Sequence, residues 1–399
     1  MINFCEICNS KKYLVKTLNL GSLPLVDDLI KINSKKKSKL YKTQILYCNK
    51  CYTAYQKYNV KKKILFPNQY HYRSSLTNDV IMGMEGLVKD TKKFVNTYKN
   101  KVVLDVGCND GILLSRFKRE KAITVGIEPT GAAYEAKKKG HDIFKDYINL
   151  KTVNKIKKKY NQIDIITFTH VFAHIDNLKY LISCVKKLMN KNTILVIENH
   201  YLGSVLEKKQ FDTFYHEHPR TYSQRSFIKI AKKIRANLIH CSFPKRYGGN
   251  IRVVITKSKN NKIKIKNESS YFHRLKKLQA SMEKWKKRKR EQLILLSNKY
   301  GPLSAKAFPG RASILIKLLN INEKVISEVY EKPNSKKIGH YLPGTSIPIK
   351  SDNKFLNKIN KIKIIINLAW HINKEIRIYL RKMGYKGKII DILETKDFK

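Results

Sequence analysis

Two short runs of this chain carry enough polar groups to do chemistry. Phe211-Asp212-Thr213-Phe214-Tyr215-His216-Glu217-His218 places two imidazoles around a carboxylate, with a phenol just ahead of them. An imidazole titrates near neutrality and can take a proton at working pH, so the expected chemistry is acid–base. The other use of such a run is a metal site, but no third ligand stands at regular spacing. On a strand or extended loop His216 and His218 would share one face, and Tyr215 and Glu217 the other. The second run, Val103-Leu104-Asp105-Val106-Gly107-Cys108-Asn109-Asp110-Gly111, is an acidic turn punctuated by glycines after an apolar strand pattern. Its glycines let backbone approach a ligand closely, at the strand edge where α/β folds open a crevice. It lacks the Gly-Lys-Ser/Thr ending of a phosphate loop, and its carboxylates would repel phosphate. They suit a ligand with positive charge, such as the amino group of S-adenosylmethionine. Glu128 closes the next strand pattern, the place for an acid that clasps ribose hydroxyls. A generic α/β turn, or a nicotinamide site, is the alternative.

A third constellation is metal-like. Of seven cysteines, Cys5/Cys8 and Cys48/Cys51 form two Cys-x-x-Cys pairs. Two intervening residues let one tight turn aim both sulfurs at one ion, and two such turns complete a tetrahedral zinc site. Four thiolates leave no open position for substrate, so such a zinc ion would hold the fold. Two unrelated surface pairs, redox-active or not, are the alternative. Cys108, Cys184 and Cys241 lie in or beside apolar segments and read as core residues.

The elements that must position these groups follow from periodicity. Residues 1–65 form a small cysteine-bearing module. A helix-like stretch at Ser75–Tyr98 leads into strand, turn and helix patterns with strands at Val102–Val106, Ile123–Glu128, Ile163–Phe168 and Thr193–Glu198. Alternation of this kind indicates a parallel sheet with helices on both faces. A second alternating region holds Leu303–Phe308, Lys324–Tyr330, Ile362–Leu368 and Lys388–Ile392. The basic stretch Lys284–Arg290 sits in a long helical pattern between the two and reads as a solvated face. The expected division is 1–65, 66–235 and 236–399.

Composition narrows the partners. The 399 residues carry 83 Lys+Arg against 30 Asp+Glu, a formal charge of +53. That excess is spread from Lys11 to Lys399 and travels with abundant Ile, Asn and Tyr, residues with A/T-rich codons. Nucleic acid is therefore not the expected main partner despite the charge, while a preference for anionic substrates survives. The apolar runs are too short for a bilayer span, and no charged-then-apolar leader opens the chain. The expectation is a cytoplasmic protein with no membrane partner.

The glycine turn resembles motif I of class I S-adenosylmethionine-dependent methyltransferases. That resemblance puts Asp105, Gly107, Asn109, Asp110 and Gly111 on the methionine side of the cofactor and Glu128 on the ribose. It also places Thr167–Ile175 on the strand that closes the cofactor pocket. The Asn/Asp-Pro-Pro-Tyr/Phe segment of amino-methylating nucleic-acid enzymes is not there. The Tyr-His-Glu-His run sharpens the family, because Asp-Thr-x-Tyr-His-Glu-His with Tyr222-Ser223 after it resembles the nucleotide-sugar C-methyltransferases. Those proteins also open with a paired Cys-x-x-Cys module. Their further segments are matched by Phe66–Ser75, Gly248-Gly249-Asn250-Ile251-Arg252, Gly339–Ile349 and Ala369–Ile376. The resemblance implies a Rossmann-like class I methyltransferase domain between an N-terminal zinc-binding module and a second, C-terminal Rossmann-like α/β domain that binds substrate. It implies C3 methylation of a 4-keto-deoxysugar on a nucleoside diphosphate, dTDP-linked forms included. His218 would be the base, with Tyr72, Tyr215, His216 and Glu217 positioning the sugar, orienting the imidazole or polarising the ketone. O- or N-methylation of a sugar or other small anionic metabolite is the rival, followed by a nucleic-acid-binding protein with a retained methyltransferase fold. The chain departs from the family at Ala305–Ser313, where relatives carry a Gly-x-Gly-Ala-Pro turn. There Lys306 and Arg311 would either meet a diphosphate or be ordinary surface cations.

Overall fold

The computed structural model describes residues 1–68, 70–258 and 261–398, so Gln69 of the Phe66–Ser75 segment lies outside it. Near the N-terminus, strands Leu14–Pro24, Leu40–Cys48 and Thr53–Gln56 pair antiparallel. A fourth strand, Arg220–Thr221, comes from far along the chain and pairs with Thr53–Gln56. Its Arg220 is buried and donates to Glu6 Oε2 (2.6 Å) and to the carbonyls of Ile175 (2.6 Å) and Asp176 (2.5 Å). A buried guanidinium with every nitrogen donating fixes the small sheet against the next unit.

The seven-stranded sheet contains the predicted strands. Val102–Val106, Ile123–Ile127, Asp142–Phe144, Ile165–Thr169 and Ile194–His200 are all parallel, and nearly all of their residues are buried or half-buried, as expected of a sheet covered on both faces. Counted along the chain, their order is third, second, first, fourth, fifth, so the direction of winding reverses between Val102–Val106 and Ile165–Thr169. Two antiparallel strands, Asn237–Ser242 and Asn250–Thr256, extend it beyond Ile194–His200. The sheet thus runs past residue 236, where the sequence suggested a division. The expected helix at Ser75–Tyr98 occupies Asn78–Val95 and stops where Asn96 turns to φ 61°.

Helix Tyr271–Tyr300 leads to the last unit. Its buried face runs Leu275, Leu278, Met282, Trp285, Lys289, Leu293, spaced by three and four residues. The basic stretch is therefore not solvated throughout. Trp285 is fully buried and donates to Ile392 O (3.0 Å), and Lys289, also fully buried, lies 3.1 Å from Asp397 and 3.5 Å from Glu394. Beyond it, five parallel strands, Leu303–Lys306, Ile326–Glu331, Ile349–Ser351, Ile364–Asn367 and Lys388–Asp391, form a second sheet. Its order along the chain is again third, second, first, fourth, fifth. No helix among the described residues is long and apolar enough to cross a membrane.

Candidate active site and metal centre

One cavity of about 620 Å³ lies where the three units meet. At one end it is walled by the 102–106 strand and its neighbours, at the other by the turns above the second sheet. Of the residues assigned to the cofactor by sequence, Gly107, Asn109 and Glu128 face it. Asp105, Asp110 and Gly111 stand behind the wall. Asp105 accepts from Thr167 Oγ1 on the adjacent strand (2.7 Å), and burial pushes its carboxyl up to about 7. Asp110 accepts from Ser75 N (3.3 Å), and Gly111 at φ 76° caps helix Ile112–Arg119. Glu128 accepts from Asn109 N (3.0 Å) with one oxygen and from Thr130 N (2.9 Å) with the other. Each oxygen keeps a lone pair for a diol.

Those residues fit S-adenosylmethionine. Thr169 Oγ1 is buried without a protein partner and its residue lines the cavity, so a polar ligand group is called for there. Apolar walls for a purine come from Ile127, Tyr147 and Ile148, beside Asp146. Sequence reasoning missed Asp146, Tyr147 and Ile148; the available signal was an acid–aromatic pair directly after the third strand.

At the reaction end, His218 Nδ1 lies 2.9 Å from Thr213 O. A carbonyl only accepts, so Nδ1 carries the hydrogen and Nε2 is left as the basic nitrogen. Burial pushes the imidazolium down to about 4, so the ring is neutral at working pH. Around it stand Tyr215 (ring centroids 4.2 Å apart), His174 (4.9 Å) and His200 (5.3 Å). Glu217 is raised to about 8 by burial, with Asp27 adding to it, and accepts from Tyr70 OH (3.3 Å). Tyr215 is pushed well above the ordinary phenol range by burial. Tyr72 lines the same cavity, and its carbonyl accepts from Asn109 Nδ2 (3.3 Å), tying this end of the cavity to the glycine turn.

His216 departs from this group. The expected alternation of an extended strand does not form, because the His218 N–H bonds Tyr215 O (2.9 Å) and closes a turn. Tyr215, Glu217 and His218 therefore face the cavity together, while His216 turns to Thr43 Oγ1 (3.0 Å) and the edge of Tyr41. His216 thus packs on the N-terminal sheet and does not line the cavity. Lys306 and Arg311 are not surface cations. Lys306 is buried on both Asp352 oxygens (2.7 and 2.8 Å), and Arg311 is buried against Asp212. His200 and His371, which sequence reasoning did not select, also line the cavity, and burial holds both well below the ordinary imidazole range.

Away from the cavity, the Sγ atoms of Cys5, Cys8, Cys48 and Cys51 lie within 4.8 Å of one another. Cys8 N points at Cys5 Sγ (3.5 Å) and Cys51 N at Cys48 Sγ (3.3 Å), the backbone bonds that stabilise thiolates in a metal-binding turn. The donor set and spacing fit a tetrahedral ion such as Zn²⁺.

A glycine-rich turn, an acid ending the second strand and parallel strands in this order define a protein of the methyltransferase class. The comparisons agree. Residues 84–240 match the model for a methyltransferase domain, and residues 245–390 match that for the C-methyltransferase C-terminal domain. A methyltransferase domain followed by a C-methyltransferase C-terminal domain thus accounts for most of residues 84–390, with a four-cysteine cluster ahead of them. C-methyltransferase NovU from Streptomyces niveus is 22% identical over 254 residues, which span 63% of this chain and 60% of that relative. Among solved structures, magnesium protoporphyrin IX methyltransferase from Synechocystis PCC 6803 aligns at 12% identity over 45% of this chain and 80% of its own, with a TM-score of 0.35. A methyltransferase from Archaeoglobus fulgidus aligns at 14% over 43% and 93%, also with a TM-score of 0.35.

Proposed function

We propose that this protein transfers a methyl group from S-adenosylmethionine to C3 of a 4-keto-deoxysugar carried on a nucleoside diphosphate, a dTDP-linked sugar being one such substrate. The observation that carries this reading is His218: a buried, neutral imidazole with Nδ1 pinned to Thr213 O, in the cavity that also holds Glu128. Nε2 takes the C3 proton, and the C–H electron pair delocalises onto the C4 oxygen. Glu217, protonated below about 8, together with Tyr215 and Tyr72 supplies hydroxyl donors for that oxygen. Asn109 and Glu128 would hold S-adenosylmethionine, which would supply an electrophilic methyl for the C3 carbanion, its thioether being the leaving group. Binding cofactor and sugar in one cavity would bring the two carbons in line, and positioning of this kind supplies much of the acceleration. Cys5, Cys8, Cys48 and Cys51 would hold a structural zinc ion, remote from the chemistry.

The test is incubation of the protein with S-adenosylmethionine and a panel of nucleoside-diphosphate 4-keto-deoxysugars, with products read by mass spectrometry and NMR. One added methyl mapped to C3 is the expected result. A methyl on oxygen or nitrogen would replace this reading with the O- or N-methylation alternative.

A further inference from the structure

The carbonyl partner of His218, Thr213 O, belongs to a turn that the C-terminal sheet grips. Phe211–Thr213 form one turn of 3-10 helix, in which Asp212 is fully buried. Arg311 Nε donates to Asp212 Oδ2 (2.7 Å), and its Nη2 donates to Asp212 Oδ1 (2.5 Å), Thr213 Oγ1 (2.9 Å) and Gln210 Oε1 (3.3 Å). Trp370 Nε1 donates to Asp212 Oδ2 as well (2.9 Å), and the guanidinium carbon lies 5.2 Å from the Trp370 ring centre. Arg311 follows strand Leu303–Lys306 and Trp370 follows strand Ile364–Asn367. These are the adjacent strands at which the second sheet reverses its winding, where α/β sheets ordinarily seat a ligand. Here a carboxylate of the chain itself, Asp212, is seated between the two turns.

We propose that Arg311 is a positioning residue for the base, acting through the Asp212–Thr213 turn, and that the C-terminal domain in this way sets the tautomer of His218. The bidentate ion pair and the bond to Thr213 Oγ1 fix the turn rigidly. Thr213 O then accepts from His218 Nδ1, which keeps Nε2 free of hydrogen. Loosening the guanidinium clamp lets that carbonyl drift, and the ring loses the partner that selects its tautomer.

The proposal rests on the reading of His218 as base, and two measurements separate them. In the full chain labelled with ¹⁵N-histidine, NMR of the wild type should show His218 protonated at Nδ1. Arg311→Lys, which keeps the charge but not the fork, should show mixed tautomers. With a ketosugar and no cofactor, deuterium exchange into C3 should fall by about 10- to 100-fold in the same variant, the scale of a small misplacement. Cofactor affinity should be unchanged. Trp370→Phe should give a smaller fall in the same direction, and guanidinium ion should restore exchange in Arg311→Ala. An Arg311→Lys protein with the wild-type tautomer and exchange rate would overturn the proposal, as would losses that only track thermal stability across both milder variants. If the wild type exchanges no ketosugar at all, the base reading fails, and the tautomer of His218 still decides the role of Arg311.

Discussion

In the seven-stranded sheet the turn after the first strand reads Gly107-Cys108-Asn109-Asp110-Gly111; in the five-stranded sheet the corresponding turn reads Ala307-Phe308-Pro309-Gly310-Arg311. Both turns open with a residue in the left-handed region, Gly107 at φ 73° and Ala307 at φ 64°. In both sheets an acid at or just after the end of the second strand accepts from the turn's backbone: Glu128 from Asn109 N, and Glu331 from Phe308 N. The strand orders match. What differs is the space above the strands. The first crevice opens on the cavity beside Thr169, Tyr147 and Glu128; the second opens on the same cavity at Phe308, Glu331 and His371, but there Arg311 and Trp370 also grip Asp212. One architecture thus takes two forms, an open seat and a seat that doubles as a domain lock, and the side chains that reach the crevice decide which.

The largest effect should come from His218, the proposed base. His218→Gln removes the basic nitrogen from the first crevice, and C3 exchange should drop by about 10²–10⁴-fold with cofactor binding intact. A normal exchange rate would break the assignment. The pH profile sharpens it. Because His218 must be neutral to accept a proton, its acid limb should appear near about 4 and not at an ordinary imidazole value. Because Glu217 donates only while protonated, rate should fall above about 8, and Glu217→Gln, still a donor, should lose that limb. An acid limb in the ordinary imidazole range would point to an exposed histidine instead.

Next in size is the first turn. In Gly107→Ala the new Cβ would lie 2.5 Å from Val171 Cγ2, at a backbone angle that alanine resists. A loss of about 2–5 kcal/mol in denaturant unfolding is expected, overpacking and left-handed strain together. The two acids should then part company. Glu128→Gln should weaken the cofactor by about 10- to 100-fold, the scale of a charged hydrogen bond, whereas Glu331→Gln should leave cofactor affinity untouched. Equal losses in calorimetric titration would erase the distinction between the crevices. The smallest effect is Ala307→Gly, which relieves strain at a left-handed residue. It should raise stability by about 0.5–1 kcal/mol in thermal melts, with no change in cofactor binding.

Much of the site was legible because its signals are local. Two residues between cysteines, a glycine-punctuated turn after an apolar run and an acid closing the next strand each express geometry within one turn of chain. The reading failed where side-chain direction depended on a distant partner. His216 and His218 are two residues apart, yet one faces Thr43 and the other the cavity, because a turn at Tyr215 replaces the strand. Lys289, inside a stretch that reads as a charged surface, is buried on Asp397 and Glu394, acids from the far end of the chain.

The amino-acid sequence by itself determined the cysteine pairs, the parallel strand patterns, the cofactor turn and the presence of an imidazole after the fifth strand. Spacing and periodicity encode those, since they arise from contacts within a few residues. Only the tertiary structure decided which imidazole faces the cavity, that Tyr72 and Glu217 line it as well, and that Arg311 holds Asp212 instead of facing solvent. Those outcomes depend on burial and on hydrogen bonds between segments about a hundred residues apart, such as Arg311 and Asp212, or more. A buried charge must find its partner wherever the fold brings one, and no local pattern records where that is.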